Sequence, residues 1–272
     1  MKNKTILITG ATSGIGYATA IAFSKLGANL ILCGRREEKL KKLSKEVKVS
    51  NTTLQFDVRD KIKVKDSIDN LPLKFKKIDV LINNAGNAHG FDSVDEANID
   101  DWDAMIDSNV KGLMYVTKAI IPYMVKNKSG HIINVGSIAG KEVYPKGSVY
   151  CSSKFAVDAF TQGLRIDLLK FGIKVSAINP GKVETEFSLV RFKGDEKRAN
   201  EVYSEFKSLT AKDVAESILF IANSPKHVNI ADMVLLSSQQ ANTYINLKIN
   251  KIKFSIYQLD FQDKENYYME IL

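Results

Sequence analysis

The chain has few of the residues that build disulfide frameworks or metal centres. Its 272 residues include two cysteines and three histidines. Cys33 and Cys151 are too few for a disulfide framework and lack the spacing of metal ligands, so we expect both to be small buried hydrophobic side chains. The histidines are scattered along the chain, at His89, His131 and His227. We therefore expect no structural metal.

Long apolar runs are also missing from the sequence. No run approaches the roughly 20 apolar residues that a membrane-spanning helix needs. The first residues, Met1 to Thr5, lead directly into an expected strand and do not have the pattern of a signal sequence. These features predict a cytoplasmic protein with no membrane partner.

The positive charge of the chain is not arranged as in a nucleic-acid-binding protein. The net charge is +8, but the lysines between Lys39 and Lys48 are interleaved with acids, and no motif combines aromatic and basic residues. This pattern favours a solvated lysine-rich surface, and we expect no nucleic-acid partner. A nucleic-acid binder is the alternative, and its binding would depend steeply on salt concentration.

Short apolar runs and helical patterns alternate along the chain. Runs at residues 4–9, 29–33, 52–56, 78–82, 131–135, 174–178 and 232–236 predict strands. The longest helical patterns are at 100–125 and 149–171. Because no proline-rich linker separates these units, the alternation predicts an α/β fold with a single doubly wound parallel sheet of about seven strands.

A glycine-rich turn follows the first predicted strand and opens a helical pattern. Gly10, Gly14 and Gly16 lie in this turn, with the spacing G-x-x-x-G-x-G instead of the usual G-x-G-x-x-G. Glycines here allow the backbone and the new helix terminus to approach a pyrophosphate closely. The sequence therefore predicts a dinucleotide site, and the alternative is a glycine turn with no ligand.

The second predicted strand ends in two arginines. A site that prefers NAD places an acid about 20 residues after the glycines, to hold the ribose 2'-hydroxyl. Arg35 and Arg36 occupy this region instead, and arginine suits a 2'-phosphate, so we favour NADP. Solvated arginines that start a helix are the alternative, and Glu37 leaves NAD open. After the third strand, Asp57 is expected either to contact an adenine amino group or to cap a helix.

The segment around Tyr150 has the residues of a proton-transfer site. Tyr150 and Lys154 are four residues apart on a predicted helix and share a face, and Ser137 precedes the tyrosine by thirteen residues. A neighbouring ammonium favours the phenolate and lowers the pKa of a tyrosine from about 10 towards neutrality. Tyr150 is then usable as a general acid or base. An ordinary surface helix is the alternative.

These motifs occur together and in order, with Asn83 to Gly86 after the fourth strand and Asn109 in the helix that follows. The chain resembles the short-chain dehydrogenase/reductase family over about residues 4–247. The resemblance implies a single Rossmann-like domain over residues 1–247, with helices on both faces of the sheet. It also implies hydride transfer between a nicotinamide cofactor and a carbonyl or alcohol. Residues 248–272 depart from the family pattern, and an added edge strand at 251–256 or a loose tail are both open.

The resemblance also implies roles for individual residues. Tyr150 is expected to be the acid and base, while Lys154 holds the nicotinamide ribose and lowers the pKa of the tyrosine. Ser137 is expected to orient the substrate oxygen, and Asn109 to support a proton-relay water. The expected cofactor contacts are Gly10, Thr12, Ser13, Gly14, Ile15, Gly16, Arg35, Arg36, Asp57, Val58, Asn84, Ala85, Gly86, Tyr150, Lys154, Pro180, Gly181, Val183 and Thr185.

A narrower resemblance lies in Tyr144 to Ser148, Pro180 to Ser188, Val190 to Phe192 and His227 to Ile230. These segments are similar to the NADP-dependent 3-hydroxy acid dehydrogenases, which oxidise the β-hydroxyl of small acids such as serine and allo-threonine. The resemblance implies NADP, a small hydroxy acid or carbonyl substrate, and a homotetramer. A carbonyl reductase or alcohol dehydrogenase with another substrate is the alternative, and an NADP-sensing scaffold without turnover is a further one.

The segment from Glu184 to Gly194 is charged and irregular in sequence, and it follows the strand next to the nicotinamide. We hypothesise that it is a mobile lid. Arg191 within it has the bidentate geometry to bind a substrate carboxylate. The substrate-binding residues would then be Ser137, Tyr150 and Arg191. Alternatively, Arg191 is an exposed lid residue or a subunit contact.

Overall fold

The computed structural model describes residues 1–204 and 206–247. The expected C-terminal extension at 248–272, with its alternating stretch at 251–256, lies outside the described residues. Cys33 and Cys151 are buried and unpaired, as expected. The same part of the chain contains no helix with both the length and the apolarity to cross a membrane.

A parallel sheet of seven strands forms the centre of the described chain. In chain order the strands are β1 (Thr5–Thr9), β2 (Asn29–Gly34), β3 (Asn51–Gln55), β4 (Val80–Asn83), β5 (Gly130–Val135), β6 (Ile173–Pro180), β7 (Val183–Glu184), β8 (Leu209–Thr210) and β9 (Asp232–Leu235). The order in the main sheet is β3-β2-β1-β4-β5-β6-β9, while β7 and β8 pair separately. The predicted strands are therefore confirmed, and the short pair β7 and β8 was not predicted.

Helices cover both faces of the sheet. They are α1 (Gly14–Lys25), α2 (Glu37–Glu46), α3 (Lys61–Asp69), α4 (Ile99–Ile106), α5 (Leu113–Asn127), α6 (Ser148–Leu168), α7 (Phe187–Arg191), α8 (Glu196–Glu201) and α9 (Ala211–Ala222). Every residue of β1 is buried, as expected for a strand covered on both faces. Successive β1 side chains enter opposite layers: Ile6 packs in a core with Phe23 of α1 and Ile218 of α9, and Leu7 packs with Val116 of α5. The predicted doubly wound fold is confirmed.

The strand order reverses between β1 and β4, which are hydrogen-bonded neighbours. In open α/β sheets the loops at the carboxyl ends of the strands separate at such a point and leave a crevice for a ligand. The loops after β1 and β4 carry the predicted glycine turn and the Asn83 to Gly86 segment. The topology therefore places both motifs at one edge of the sheet.

The predicted helix at 100–125 contains an interruption that the sequence did not indicate. Helix α4 passes through a π-helical turn, Asp107–Gly112, before α5 begins. Asn109 lies in this turn and is buried. Such insertions into the hydrogen-bond ladder of a helix are often found at functional sites.

Candidate active site

A cavity of about 560 Å³ lies at the carboxyl ends of the central strands. Of the predicted site residues, Gly16 and Asn109 do not line it. The predicted residues that do line it are Gly10, Thr12, Ser13, Gly14, Ile15, Arg35, Arg36, Asp57, Val58, Asn84, Ala85, Gly86, Ser137, Tyr150, Lys154, Pro180, Gly181, Val183, Thr185 and Arg191. The fold thus brings together residues from distant parts of the sequence.

The glycine turn after β1 has no room for side chains. Gly10 has a φ of +63°, and a Cβ on it would lie 2.9 Å from the amide nitrogen of Asn84. A Cβ on Gly16 would lie 2.3 Å from the carbonyl oxygen of Gly10, far inside van der Waals contact. Ser13 caps α1 without a side-chain hydrogen bond to the helix. The first N–H groups of α1 and the bare backbone beside them fit a pyrophosphate.

A second anion-binding corner lies where Arg36 meets the glycine turn. Its guanidinium Nη2 donates hydrogen bonds to Ser13 Oγ at 2.7 Å and to Thr12 Oγ1 at 3.1 Å. Arg36 Nη1 and Lys39 Nζ donate to separate carboxylate oxygens of Glu186, each at 2.9 Å. Two cations and two hydroxyls form a donor set that fits a phosphate monoester. Lys39 was not among the predicted site residues, although it follows Arg36 by three residues at the start of α2.

Asp57 lies at the edge of the same corner, next to two arginines. Its carboxylate accepts a hydrogen bond from Arg59 Nη2 at 2.7 Å, and Arg35 Nη1 lies 3.6 Å away. Although burial raises the pKa of Asp57, the hydrogen bonds from Arg59 and the charges of both arginines hold it below its usual range. The alternative that Asp57 caps a helix is wrong, because Asp60 accepts the hydrogen bonds at the start of α3. Arg59 also lines the cavity and was missed.

Helix α6 carries Tyr150 and Lys154 on one face, and both are buried at 8% exposure. Lys154 Nζ donates to the carbonyl oxygen of Val135 at 3.0 Å and lies 5.9 Å from the centroid of the Tyr150 ring. Ser137 follows β5, accepts a hydrogen bond from the backbone of Ala139 at 3.1 Å, and hydrogen-bonds Tyr150. The predicted serine, tyrosine and lysine therefore meet in the cavity.

The pKa of Tyr150 differs in direction from the expectation. Burial raises it above its ordinary value and the charge of Tyr144 adds to this, while the hydrogen bond with Ser137 and the charge of Arg191 lower it. Burial also lowers the pKa of Lys154 to about 8, so its ammonium group holds its proton less firmly than a free lysine does. The expected lowering by Lys154 is therefore wrong for this structure, and Tyr150 is protonated at neutral pH.

Asn109 fastens the loop after β4 to helix α6. Its Nδ2 donates to the carbonyl oxygen of Asn87 at 2.8 Å and to Ser153 Oγ at 3.0 Å, while its Oδ1 accepts from the backbone N–H of Asn87 at 2.8 Å. Ser153 precedes Lys154, so this contact fixes α6 at the turn that carries Lys154. Both amide hydrogens of Asn109 are used by protein groups, and its role in a proton relay stays a prediction.

The lid segment is more regular than expected. Residues of the predicted irregular stretch form β7 and α7, so that part of the prediction is wrong, and its mobility stays a prediction. Arg191 ends α7 and is half-buried. It donates to the carbonyl oxygen of Gly90 at 3.2 Å and to Tyr144 Oη at 3.0 Å, and its guanidinium carbon lies 5.7 Å from the centroid of the Tyr150 ring. Within residues 1–204 and 206–247, no carboxylate pairs with Arg191.

Aromatic side chains form much of the wall near Tyr150. Phe187 stacks edge-on against Tyr150 with a centroid distance of 5.7 Å, and the Arg191 guanidinium lies 4.7 Å from the Phe91 ring centroid. The sequence did not indicate a site role for these residues, because aromatic side chains in loops and short helices have no periodicity that shows where they face. The cavity-lining residues that had no predicted site role include the aromatic Phe91, Tyr144, Phe187, Phe192 and Tyr203 and the polar Gln240 and Thr243.

The site combines a helix terminus that fits a pyrophosphate with a buried tyrosine that can exchange a proton. An oxidoreductase needs both features, because it moves a hydride and a proton together. Residues 4–195 match the family model described as short chain dehydrogenase, and the chain belongs to the short-chain dehydrogenase/reductase family.

Relatives and solved structures extend this similarity over most of the chain. An NADP-dependent 3-hydroxy acid dehydrogenase from Schizosaccharomyces pombe is 46% identical over 245 residues, covering 88% of this chain and 95% of the relative. Sulfoacetaldehyde reductase 2 from Chromohalobacter salexigens is 43% identical over 239 residues, covering 87% and 95%. The closed form of a serine dehydrogenase complexed with NADP+ is 39% identical with a TM-score of 0.86, covering 90% of this chain and all of that one.

Proposed function

We propose that this protein is an NADP-dependent dehydrogenase of small 3-hydroxy acids such as serine, allo-threonine or 3-hydroxyisobutyrate. It transfers a hydride between the cofactor and the carbon that bears the β-hydroxyl or the ketone. The names of two similar proteins support the cofactor, since one is NADP-dependent and the other holds NADP+. The observation that carries the substrate class is the position of Arg191 beside Tyr150.

The corner around Arg36 supports NADP over NAD. Thr12, Ser13, Arg36 and Lys39 present hydroxyl and cationic donors at the place where a 2'-phosphate is expected. Glu37, which left NAD open, pairs with Lys41 along α2 at 2.8 Å. The Glu37 carboxylate is therefore paired with a lysine one helical turn further along α2, and this pairing does not support its binding to a ribose hydroxyl.

The environment of Arg191 supports an anionic substrate. Its protein partners are a carbonyl oxygen and a phenol, which are neutral, and its guanidinium is held between aromatic rings. A half-buried cation without an acidic partner attracts an anion, and a guanidinium binds a carboxylate through two parallel hydrogen bonds. A carboxylate bound there would hold the β-carbon of a short acid close to the Tyr150 hydroxyl.

The chain supplies the proton chemistry around the substrate oxygen. When bound, the nicotinamide cofactor supplies or accepts the hydride. In reduction, protonated Tyr150 donates its phenolic proton to the substrate oxygen, and Ser137 orients that oxygen. In oxidation, the hydroxyl proton of the substrate passes to the Tyr150 oxygen. Lys154, on the same face of α6 as Tyr150, is held by its hydrogen bond to the carbonyl oxygen of Val135. The aromatic wall limits access of water.

The test is a turnover assay with NADP and with NAD on serine, allo-threonine, 3-hydroxyisobutyrate and a simple secondary alcohol. We expect NADP-dependent oxidation of at least one acid, with a higher kcat/KM than for the alcohol. Activity on the alcohol together with none on any acid would overturn the proposed substrate class.

A carbonyl reductase or alcohol dehydrogenase acting on another ketone is the second candidate. The apolar wall made by Phe91, Phe187 and Phe192 favours it, because such a wall accepts substrates without a charge. The same assay separates the two candidates. An NADP-sensing scaffold has no support from the site, where serine, tyrosine and lysine are all in place.

We also propose that residues 1–247 form one domain and that the protein is a cytoplasmic homotetramer. Near the end of α6, Ile166 and Leu169 are each 75% exposed, and burial against another subunit would remove this apolar surface from water. Light scattering coupled to size-exclusion chromatography would measure the mass. A monomer at micromolar concentration would contradict the proposed assembly.

A further inference from the structure

An acidic side chain of the lid segment lies between the two cations of the phosphate corner. Glu186 Oε2 accepts from Arg36 Nη1, and Glu186 Oε1 accepts from Lys39 Nζ, both at 2.9 Å. The cations belong to the start of α2, and Glu186 is the residue that precedes α7. These two contacts connect parts of the chain about 150 residues apart, across one end of the cavity.

The contacts use the donors that a phosphate monoester would need. The remaining donors of Arg36 reach Thr12 and Ser13 at the glycine turn. Within the described ranges 1–204 and 206–247, Glu186 is the acid paired with Arg36 and with Lys39. The Glu186 carboxylate therefore occupies the position between the two cations that a 2'-phosphate would take.

The pairing is weak enough to be displaced. The side chains of Arg36, Glu186 and Lys39 are 43%, 45% and 46% exposed, so water screens their attraction. Hydrogen bonds from Arg36 and Lys39 lower the pKa of Glu186, which keeps it a carboxylate at neutral pH. A phosphate monoester carries close to two negative charges and three acceptor oxygens, and it competes well for the same donors.

We infer that Glu186 is a displaceable counter-ion of the 2'-phosphate site and thereby a determinant of cofactor preference. It weakens the binding of NADP and leaves the binding of NAD unchanged. Because Glu186 immediately precedes the short helix α7, which ends at Arg191, arrival of the phosphate also releases the lid from α2. This inference rests on the proposed use of NADP, and it is independent of the substrate.

The experiment uses adenosine 2',5'-bisphosphate and ADP, which differ in the 2'-phosphate and contain no nicotinamide. Their dissociation constants are measured by calorimetry for the wild type, Glu186→Gln and Glu184→Gln. Glu184 is an exposed acid two residues earlier that forms no ion pair within the described residues, so it controls for the loss of one charge from the lid. We expect Glu186→Gln to tighten the bisphosphate about two- to tenfold and to leave ADP unchanged.

Hydrogen exchange of residues 185–191 tests the release of the lid in the same samples. The bisphosphate, but not ADP, is expected to speed exchange in the wild type, and Glu186→Gln without ligand is expected to match that faster rate. Unchanged or weaker binding of the bisphosphate by Glu186→Gln would overturn the inference, as would equal tightening by Glu184→Gln. A wild type that binds both nucleotides equally would overturn the NADP proposal and this inference together. A wild type that prefers the bisphosphate, with no effect of Glu186→Gln, would overturn this inference alone.

Discussion

Replacing Arg191 with glutamine is expected to raise the KM for an acid substrate strongly. The charge-assisted hydrogen bonds between a guanidinium and a carboxylate contribute about 1.5 to 3 kcal/mol, which corresponds to about a 10- to 150-fold change in KM. The value of kcat is expected to change less, because the proposed role of Arg191 is to bind the unreactive end of the substrate. The assay measures kcat and KM separately with 3-hydroxyisobutyrate and with a simple secondary alcohol.

The alcohol serves as the internal control for the Arg191→Gln variant. It has no carboxylate, so its KM should change by less than about threefold if the guanidinium acts by binding an anion. Lys197→Gln removes a positive charge from the exposed helix α8 without touching the cavity, and it controls for a general loss of positive potential. A KM for the acid that stays at the wild-type value, or an equal rise for the acid and the alcohol, would refute the reasoning.

Four further predictions concern the rest of the site. Tyr150→Phe removes the proposed proton donor and should lower kcat by about 10²- to 10⁴-fold, while the dissociation constant of NADP measured by fluorescence stays near the wild-type value. Gly16→Ala places a methyl 2.3 Å from the carbonyl oxygen of Gly10, and calorimetry should show loss of NADP binding with the fold retained by circular dichroism. Burial lowers the pKa of Lys154 to about 8 in the folded protein, compared with about 10.4 in the unfolded chain. At pH values between these two, the unfolded state binds more protons than the folded state, so the free energy of unfolding should rise with pH. Lys154→Met should flatten this rise in urea unfolding measured from pH 8 to 10, and an unchanged slope would contradict the cause given. Finally, the two carboxylates that line the described cavity, Asp57 and Glu186, are paired with Arg59 and Arg36 and are not free to bind an ammonium. 3-Hydroxyisobutyrate should therefore have a higher kcat/KM than serine, and the opposite order would contradict this description of the pocket.

The sequence could predict the parts of the site that depend on local order. Tyr150 and Lys154 share a face because four residues make about one helical turn, and the glycine turn follows a buried strand that any parallel sheet would place centrally. The π-helical turn at Asn109 could not be predicted, because Val110 within it continues the apolar stripe from Met105 to Leu113 and no proline marks an interruption. The aromatic wall could not be predicted either, since loop side chains take their directions from the folded backbone.

The neighbours of Tyr150 were predicted correctly, but the direction of its pKa shift was not. The spacing of Tyr150 and Lys154 correctly predicts that they lie close together. The direction in which the pKa of each group shifts depends on how far that group is removed from water. Burial penalises the charged form of both groups, so the phenol holds its proton more firmly and the ammonium holds its proton less firmly. In this state the tyrosine is prepared to donate a proton, as reduction requires. Oxidation requires the phenolate, and the charge of Arg191 and the hydrogen bond with Ser137 are the protein groups that favour it. On the proposed function, a substrate carboxylate that neutralises Arg191 would weaken one of these two aids.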